Sequence, residues 1–369
     1  MKHFLLLSFL CFSILLSEAQ ERQPNFYRTY DTEGPDLNIK FFPADNPLIQ
    51  YTGRIEFTNA KTPRLWSPGA YVEIGFTGPY CNITLNDEEL YGQHNYIEIA
   101  IDDRAPTRVQ TTGKTNIIKA AFGLSDSKHV ITICKNTEAS IGYIDFVGIT
   151  CAGLYKLHKK PKRKIEFIGN SITCGAGSDL SVKPCGDDAW YDQHNAYMSY
   201  GPVTARMLNA QWQLSAVSGI GLIHSCCNMN ILMPQVFDKV DMRTDSIPWD
   251  FSRYIPDVVT ITLGQNDGVQ DSAKFCSAYV DFIKTIRGKY PNAHIFCLTS
   301  PMADEKLTAV LKNYLTGIVD FINKAGDGRV HKYFYSQQYH HGCGGHPDLQ
   351  EHTAIANELA AYIKKVMKW

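Results

Sequence analysis

"IEFIGNSITCGAG", residues 165–177, begins like a strand and ends like a turn. Ile165, Phe167 and Ile168 are apolar and β-prone, and the run stops at Gly169. A serine follows at 171, and small, turn-forming residues follow it. Taken alone, Ser171 reads as a helix cap. At the end of a parallel strand it has a second meaning, because open α/β sheets place their active sites beyond the carboxyl ends of the strands. The rest of the chain decides between the two.

Downstream, strands alternate with helices. "KIEFIG", "WQLSAV", "DVVTITLG", "HIFCLTS" and "VHKYFYS" are the strand candidates. Between them, residues 271–288 carry Phe275, Ala278, Tyr279, Phe282, Ile283 and Ile286 at helical spacing. Residues 303–325 do the same with Leu307, Val310, Leu311, Leu315, Ile318 and Ile322, and residues 349–367 form a last helix. This alternation predicts a parallel sheet covered by helices on both faces, spanning 163–369.

Upstream, residues 37–155 read as all-β. "YVEIGF" puts Val72, Ile74 and Phe76 on one face, and "YIEIAI" does so with Ile97, Ile99 and Ile101. "GRIEF", "CNITLND", "HVITICK" and "YIDFVGI" continue the series. Turn signals in "NDEE", "DDRAP" and "GLSDSKH" separate the strands, so a β-sandwich of jelly-roll type is predicted. The basic run "KLHKKPKRK" between the halves contains a proline and reads as a solvated linker.

A formal net charge of −1 over 369 residues provides no global field for nucleic acid or anionic lipid. Residues 1–19 have the positive start, short apolar core and small residues (Ser17, Ala19) of a secretory signal peptide. A secreted or periplasmic protein is therefore expected. Ten cysteines remain beyond that peptide. Cys174/Cys185 and Cys81/Cys134 are possible disulfides, with connectivity left open by sequence.

Four loops that follow strands carry chemistry. They contain Ser171, Gly219 in "SAVSGIGL", Asn266 in "LGQND" and His346 in "HHGCGGHPD". An esterase needs a hydroxyl nucleophile, a base, and donors for a developing oxyanion. Ser171 suits the first role and His346 the second, since imidazole titrates near neutrality. The backbone N–H groups of Ser171 and Gly219, with the Asn266 amide, suit the third. Singly, each residue has a structural explanation: a cap, a turn glycine, an Asx turn, a loop histidine. Their joint placement after four separate strands favours function. "TGKT" at 112–115 lacks the first glycine of a phosphate loop, and "SGIGLIHS" lacks the third glycine of a dinucleotide loop. His340, His341, His346 and His352 lack the carboxylate cluster or helical spacing of a metal site, so no metal or cofactor is expected.

"FIGNSITCGAG", "VSGIGL", "LGQND" and "CGGHPD" resemble, in order, the four blocks of the SGNH (GDSL-type) hydrolases. With "NPLIQYTGRIEF", "SPGAYVEIGFTG" and "NYIEIAIDD" ahead of them, the chain is similar to carbohydrate esterase family 2. The resemblance implies a jelly roll before a three-layer, flavodoxin-like α/β domain. It implies a serine esterase that removes O-acetyl groups from polysaccharides such as xylan or glucomannan, without metal or cofactor. Ser171 would be the nucleophile, His346 the base, and Ser171, Gly219 and Asn266 the oxyanion hole. The alternatives are a lipid or aryl esterase on the same fold, or a glycan-binding protein with a degenerate hydrolase half.

Three positions depart from the family pattern. Asn170 stands where Asp is usual, which alters local hydrogen bonding rather than chemistry. Gly344 occupies the place of the aspartate that orients the histidine, so a Ser–His dyad is expected, with a backbone carbonyl on the second imidazole nitrogen. Asp348 is near but is expected to cap the final helix. Gly345 replaces an aromatic residue before the histidine, implying a more open wall.

Overall fold

Tyr71–Asp87 is a single strand of 17 residues where the sequence suggests two. Gly78, at φ +93°, lets the strand bend at Gly78-Pro79 rather than stop. One end pairs antiparallel with Lys128–Lys135 and the other with Thr115–Ala121, while Ile144–Tyr155 runs beside both. Val72, Ile74 and Phe76 are fully buried, and Ile97, Ile99 and Ile101 join them in one apolar core. The computed structural model describes residues 39–186 and 189–369. The predicted signal peptide lies outside them. Within the described residues, a ten-stranded antiparallel network occupies the first half, between Lys40 and Tyr155.

The second half is built on a five-stranded sheet. Its strands in chain order are Arg163–Gly169, Ala210–Ala216, Val258–Ile261, His294–Leu298 and Val330–Tyr333. Their spatial order is second, first, third, fourth, fifth, and every pair is parallel. That is the doubly wound, flavodoxin-like order. The helices Ser272–Lys289, Glu305–Lys324 and Leu349–Met367 follow the predicted stripes. Asp271, Asp304 and Asp348 cap them, each accepting from a first-turn N–H. A further helix, Tyr200–Met207, departs from the prediction; its Pro202 lies in the first turn, where no N–H is missed.

The two halves share an interface rather than a loose linker. Lys160, in the basic run, donates to the Tyr51 carbonyl at 2.7 Å, and burial pushes its ammonium down to about 8. Tyr71 stacks on Trp212 at 4.1 Å, and the Trp212 indole donates to the Gly69 carbonyl at 2.9 Å. Arg54 of the β half reaches Glu166 at 3.0 Å and Ser215 at 2.9 Å on the first two parallel strands. The suggested disulfides are not the ones formed. Cys185 pairs with Cys343, and Cys226 with its neighbour Cys227. Cys81, Cys134 and Cys174 are buried free thiols. The Cys174 thiol donates to Glu138 at 3.6 Å. Among the described residues no helix is long and apolar enough to cross a membrane.

Candidate active site

Ser171 sits at the first turn of a four-residue helix, Ser171–Cys174, directly beyond the first parallel strand. Asn170, not Ser171, is the cap: its Oδ1 accepts from the Ile172 N–H at 3.2 Å. The Ser171 hydroxyl is thereby left for another partner. As the first helical residue, its own N–H has no intrahelical acceptor and faces outward from the helix start.

That partner is His346, whose Nε2 lies 2.8 Å from Ser171 Oγ across 175 positions of sequence. The imidazole Nδ1 lies 3.1 Å from the Cys343 carbonyl. A carbonyl can only accept, so Nδ1 carries the proton and Nε2 presents its lone pair to the serine hydroxyl. Burial lowers the His346 pKa, offset in part by the Cys343 bond, with His194 lowering and Glu138 raising it; the net direction is down. Neutral imidazole is the form that accepts a proton from serine.

Several contacts fix the histidine loop. The Cys343 N–H donates to the Gly177 carbonyl at 2.8 Å, and the Gly342 N–H to the His346 carbonyl at 2.6 Å. Gly177 has φ +66°, and a Cβ there would meet the Cys343 oxygen at 2.4 Å, so the two loops can approach only through glycine. Glu351 accepts from the N–H groups of His340, His341 and Asp348. Asp348 forms a capping box with Glu351 on the final helix, as expected. The Cys185–Cys343 disulfide clamps the residue whose carbonyl holds the imidazole.

Gly219 has φ +84°, and a Cβ there would press on Met229 Sδ at 2.7 Å and Cys226 Sγ at 3.1 Å. Its loop is tied to the Asn266 loop. The Asn266 amide donates to the Ile220 carbonyl at 2.8 Å, which orients the group and leaves its second N–H available. Buried Asp267 accepts from the N–H groups of Leu222, Ile223 and His224. The four histidines do not converge: His352 is buried under Tyr200, and His341 pairs with Glu351. Among the described residues no group of three His, Cys, Asp or Glu is arranged to hold a metal ion.

Sequence reasoning missed Asp267, Glu138 and His194. Asp267 was adjacent to Asn266 and was visible as an Asx-type loop residue. Glu138 and His194 carried no local signal.

A parallel sheet in this order, with serine and histidine meeting beyond its carboxyl edge, defines a GDSL-like hydrolase. The GDSL-like Lipase/Acylhydrolase family matches residues 167–364, and Carbohydrate esterase 2 N-terminal matches residues 51–161. A solved family two carbohydrate esterase from Clostridium thermocellum, in complex with cellohexaose, superposes with a TM-score of 0.80 at 33% identity, over 87% of this chain and 99% of that one. The chain belongs to carbohydrate esterase family 2, a family of carboxylic ester hydrolases. It is 34% identical to the cellulase/esterase CelE of Acetivibrio thermocellus over 92% of its own length, and spans 41% of that protein. It is 27% identical to an acetylxylan esterase / glucomannan deacetylase of Cellvibrio japonicus, over 88% of this chain and 91% of that protein.

Proposed function

We propose that the protein is an exported serine esterase that removes O-acetyl groups from plant cell-wall polysaccharides, xylan or glucomannan, through a Ser171–His346 dyad. The observation that carries this reading is the 2.8 Å contact between Ser171 Oγ and His346 Nε2, with Nδ1 engaged by a carbonyl. The relatives' acetylxylan and glucomannan activities support the substrate class. Domains at 37–155, a jelly roll, and 163–369 complete the reading.

In the proposed reaction, His346 Nε2 takes the Ser171 proton as Oγ attacks the acetyl carbonyl carbon. The oxyanion is received by the N–H groups of Ser171 and Gly219 and by the Asn266 amide. The C–O bond to the sugar breaks, and the sugar oxygen leaves with the proton from His346. Water then attacks the acetyl-enzyme with His346 again as base, releasing acetate. The test is acetate release from acetylated xylan, glucomannan and chitin fragments. Ser171→Ala is expected to be folded and inactive. Asn266→Ala is expected to lose about 100- to 1,000-fold in rate, the usual cost of one oxyanion donor. Appreciable deacetylation by Ser171→Ala sinks the assignment, and polysaccharide binding without turnover by the wild type points to a binding module.

A further inference from the structure

Glu138 belongs to the β half, three residues beyond the strand Lys128–Lys135, yet it is fully buried among residues of the hydrolase half. Its Oε2 accepts from the Ser218 N–H at 2.6 Å. Ser218 immediately precedes Gly219. The same oxygen receives the Cys174 thiol at 3.6 Å, and Cys174 ends the four-residue helix that Ser171 begins. The other oxygen, Oε1, lies 3.8 Å from Nε2 of His194, itself fully buried. Lys135 fixes the turn that delivers Glu138, donating to the carbonyls of Thr137 at 2.6 Å and Glu138 at 3.1 Å. Asn136 of the same turn accepts from the Tyr197 N–H at 3.1 Å, and its carbonyl accepts from the Ala196 N–H.

A buried ionised carboxylate costs several kcal/mol of desolvation unless it is well bonded. Burial raises the Glu138 pKa, but His194 and the Ser218 N–H outweigh it and hold the group below the ordinary glutamate range. The charge therefore persists at the junction of the serine helix and the Gly219 turn. A charge-assisted bond to the Ser218 N–H is about twice as strong as a neutral one. It fixes the Val217–Ser218 peptide, one residue ahead of the Gly219 N–H, and so anchors the start of that turn.

We infer that Glu138 is a positioning residue for ester hydrolysis: the β half uses it to hold the Val217–Ser218 peptide, and through it the adjoining Gly219 N–H, in the orientation that receives the oxyanion. The inference rests on the Ser171 esterase reading. It makes the N-terminal half a part of the catalytic apparatus rather than an appended module.

The test compares full-length wild type, Glu138→Ala, Glu138→Gln and Ser171→Ala on a chromogenic acetate, with kcat and KM separated and Tm recorded. Glu138→Ala is expected to lower kcat about 100-fold, the order of a small misplacement of catalytic groups. Glu138→Gln keeps a neutral acceptor and is expected to lose about 5- to 10-fold, the difference between a charged and a neutral acceptor. KM stays within about two-fold in both, because the residue does not touch substrate. If Glu138→Ala does not fold, the near-isosteric Glu138→Gln decides alone. Wild-type kcat in a folded Glu138→Gln overturns the inference, as does a loss carried by KM. Activity surviving in Ser171→Ala overturns the parent reading; an inactive Ser171→Ala beside unaffected Glu138 variants overturns this inference only.

Discussion

At Ser171 the competing roles of a serine at a strand end are separated by its neighbour. Asn170 performs the capping, so the Ser171 hydroxyl can bond His346. At His346 the usual carboxylate is replaced by the Cys343 carbonyl, which fixes the tautomer without adding charge. An imidazolium forming there has less support than one beside an aspartate, and burial pulls the same way. The sign follows directly. A lowered pKa means that the active, neutral base persists to lower pH. The acid limb of kcat/KM is therefore expected below the ordinary histidine value of 6.5, and a midpoint above it, measured on a chromogenic acetate, counts against His346 as the base. Gly344 has φ +62°, a conformation aspartate tolerates, and a Cβ there would lie 3.6 Å from Nδ1. Gly344→Asp should move the acid limb upward. The two residues that meet at 2.8 Å, Ser171 and His346, each lie in a short motif after a strand, which is what made them candidates in the sequence. The cap exchange was not, because Asn and Ser are both good caps and only geometry shows which one bonds Ile172.

At the scale of elements, the histidine loop has no helix or strand of its own between Tyr333 and the final helix apart from one turn of 3₁₀, Cys343–Gly345. Its order comes from Glu351, from the Gly177 contact and from the Cys185–Cys343 disulfide. The disulfide spans 158 residues and ends on the residue that holds the imidazole. Cys185→Ala removes the clamp without touching His346 or its carbonyl partner. It should lower kcat by about ten-fold, within the roughly 100-fold that a 1 Å misplacement costs, with KM little changed. A kcat equal to wild type in the oxidised and the Cys185→Ala protein alike would show that the remaining contacts suffice. The long elements were legible because period 2 and period 3.6 repeat over many residues, as in Val72–Phe76 and Phe275–Ile286. "YVEIGF" and "CNITLND" read as separate strands, but Gly78-Pro79 between them bends the chain, and pairing on both sides of the bend makes one 17-residue strand. The Cys185–Cys343 disulfide was illegible because loops bring its cysteines together, and no spacing rule encodes a loop path.

At the scale of the whole molecule, the interface between the halves is where sequence reasoning ran out. It is made by single residues without period: Arg54, Trp212, Tyr71, Asn136 and Glu138. Arg54 illustrates the physics. It is fully buried, it donates to Glu166, Ser215 and the carbonyls of Phe237 and Lys239, and the rings of Phe237 and Trp249 lie within 5.4 Å of its guanidinium. No hydrophobic pattern marks an arginine for the interior, since burying it is favourable only with all partners in place. Those partners all come from the hydrolase half, so the β half cannot satisfy Arg54 alone, and Glu166 draws its counter-ion from the β half. Removing the arginine leaves Glu166 buried without its counter-ion, 3.0 Å from where the guanidinium stood. Arg54→Ala should therefore destabilise the protein by about 3–5 kcal/mol, the usual cost of breaking a buried pair from one side. Arg54→Met with Glu166→Leu, which removes both charges and keeps the volume, should recover much of that loss. Chemical denaturation of the three proteins, followed by tryptophan fluorescence and by esterase activity, checks this. A loss below about 1 kcal/mol in Arg54→Ala, the range of an exposed ion pair, would mean that the halves are held together without this pair.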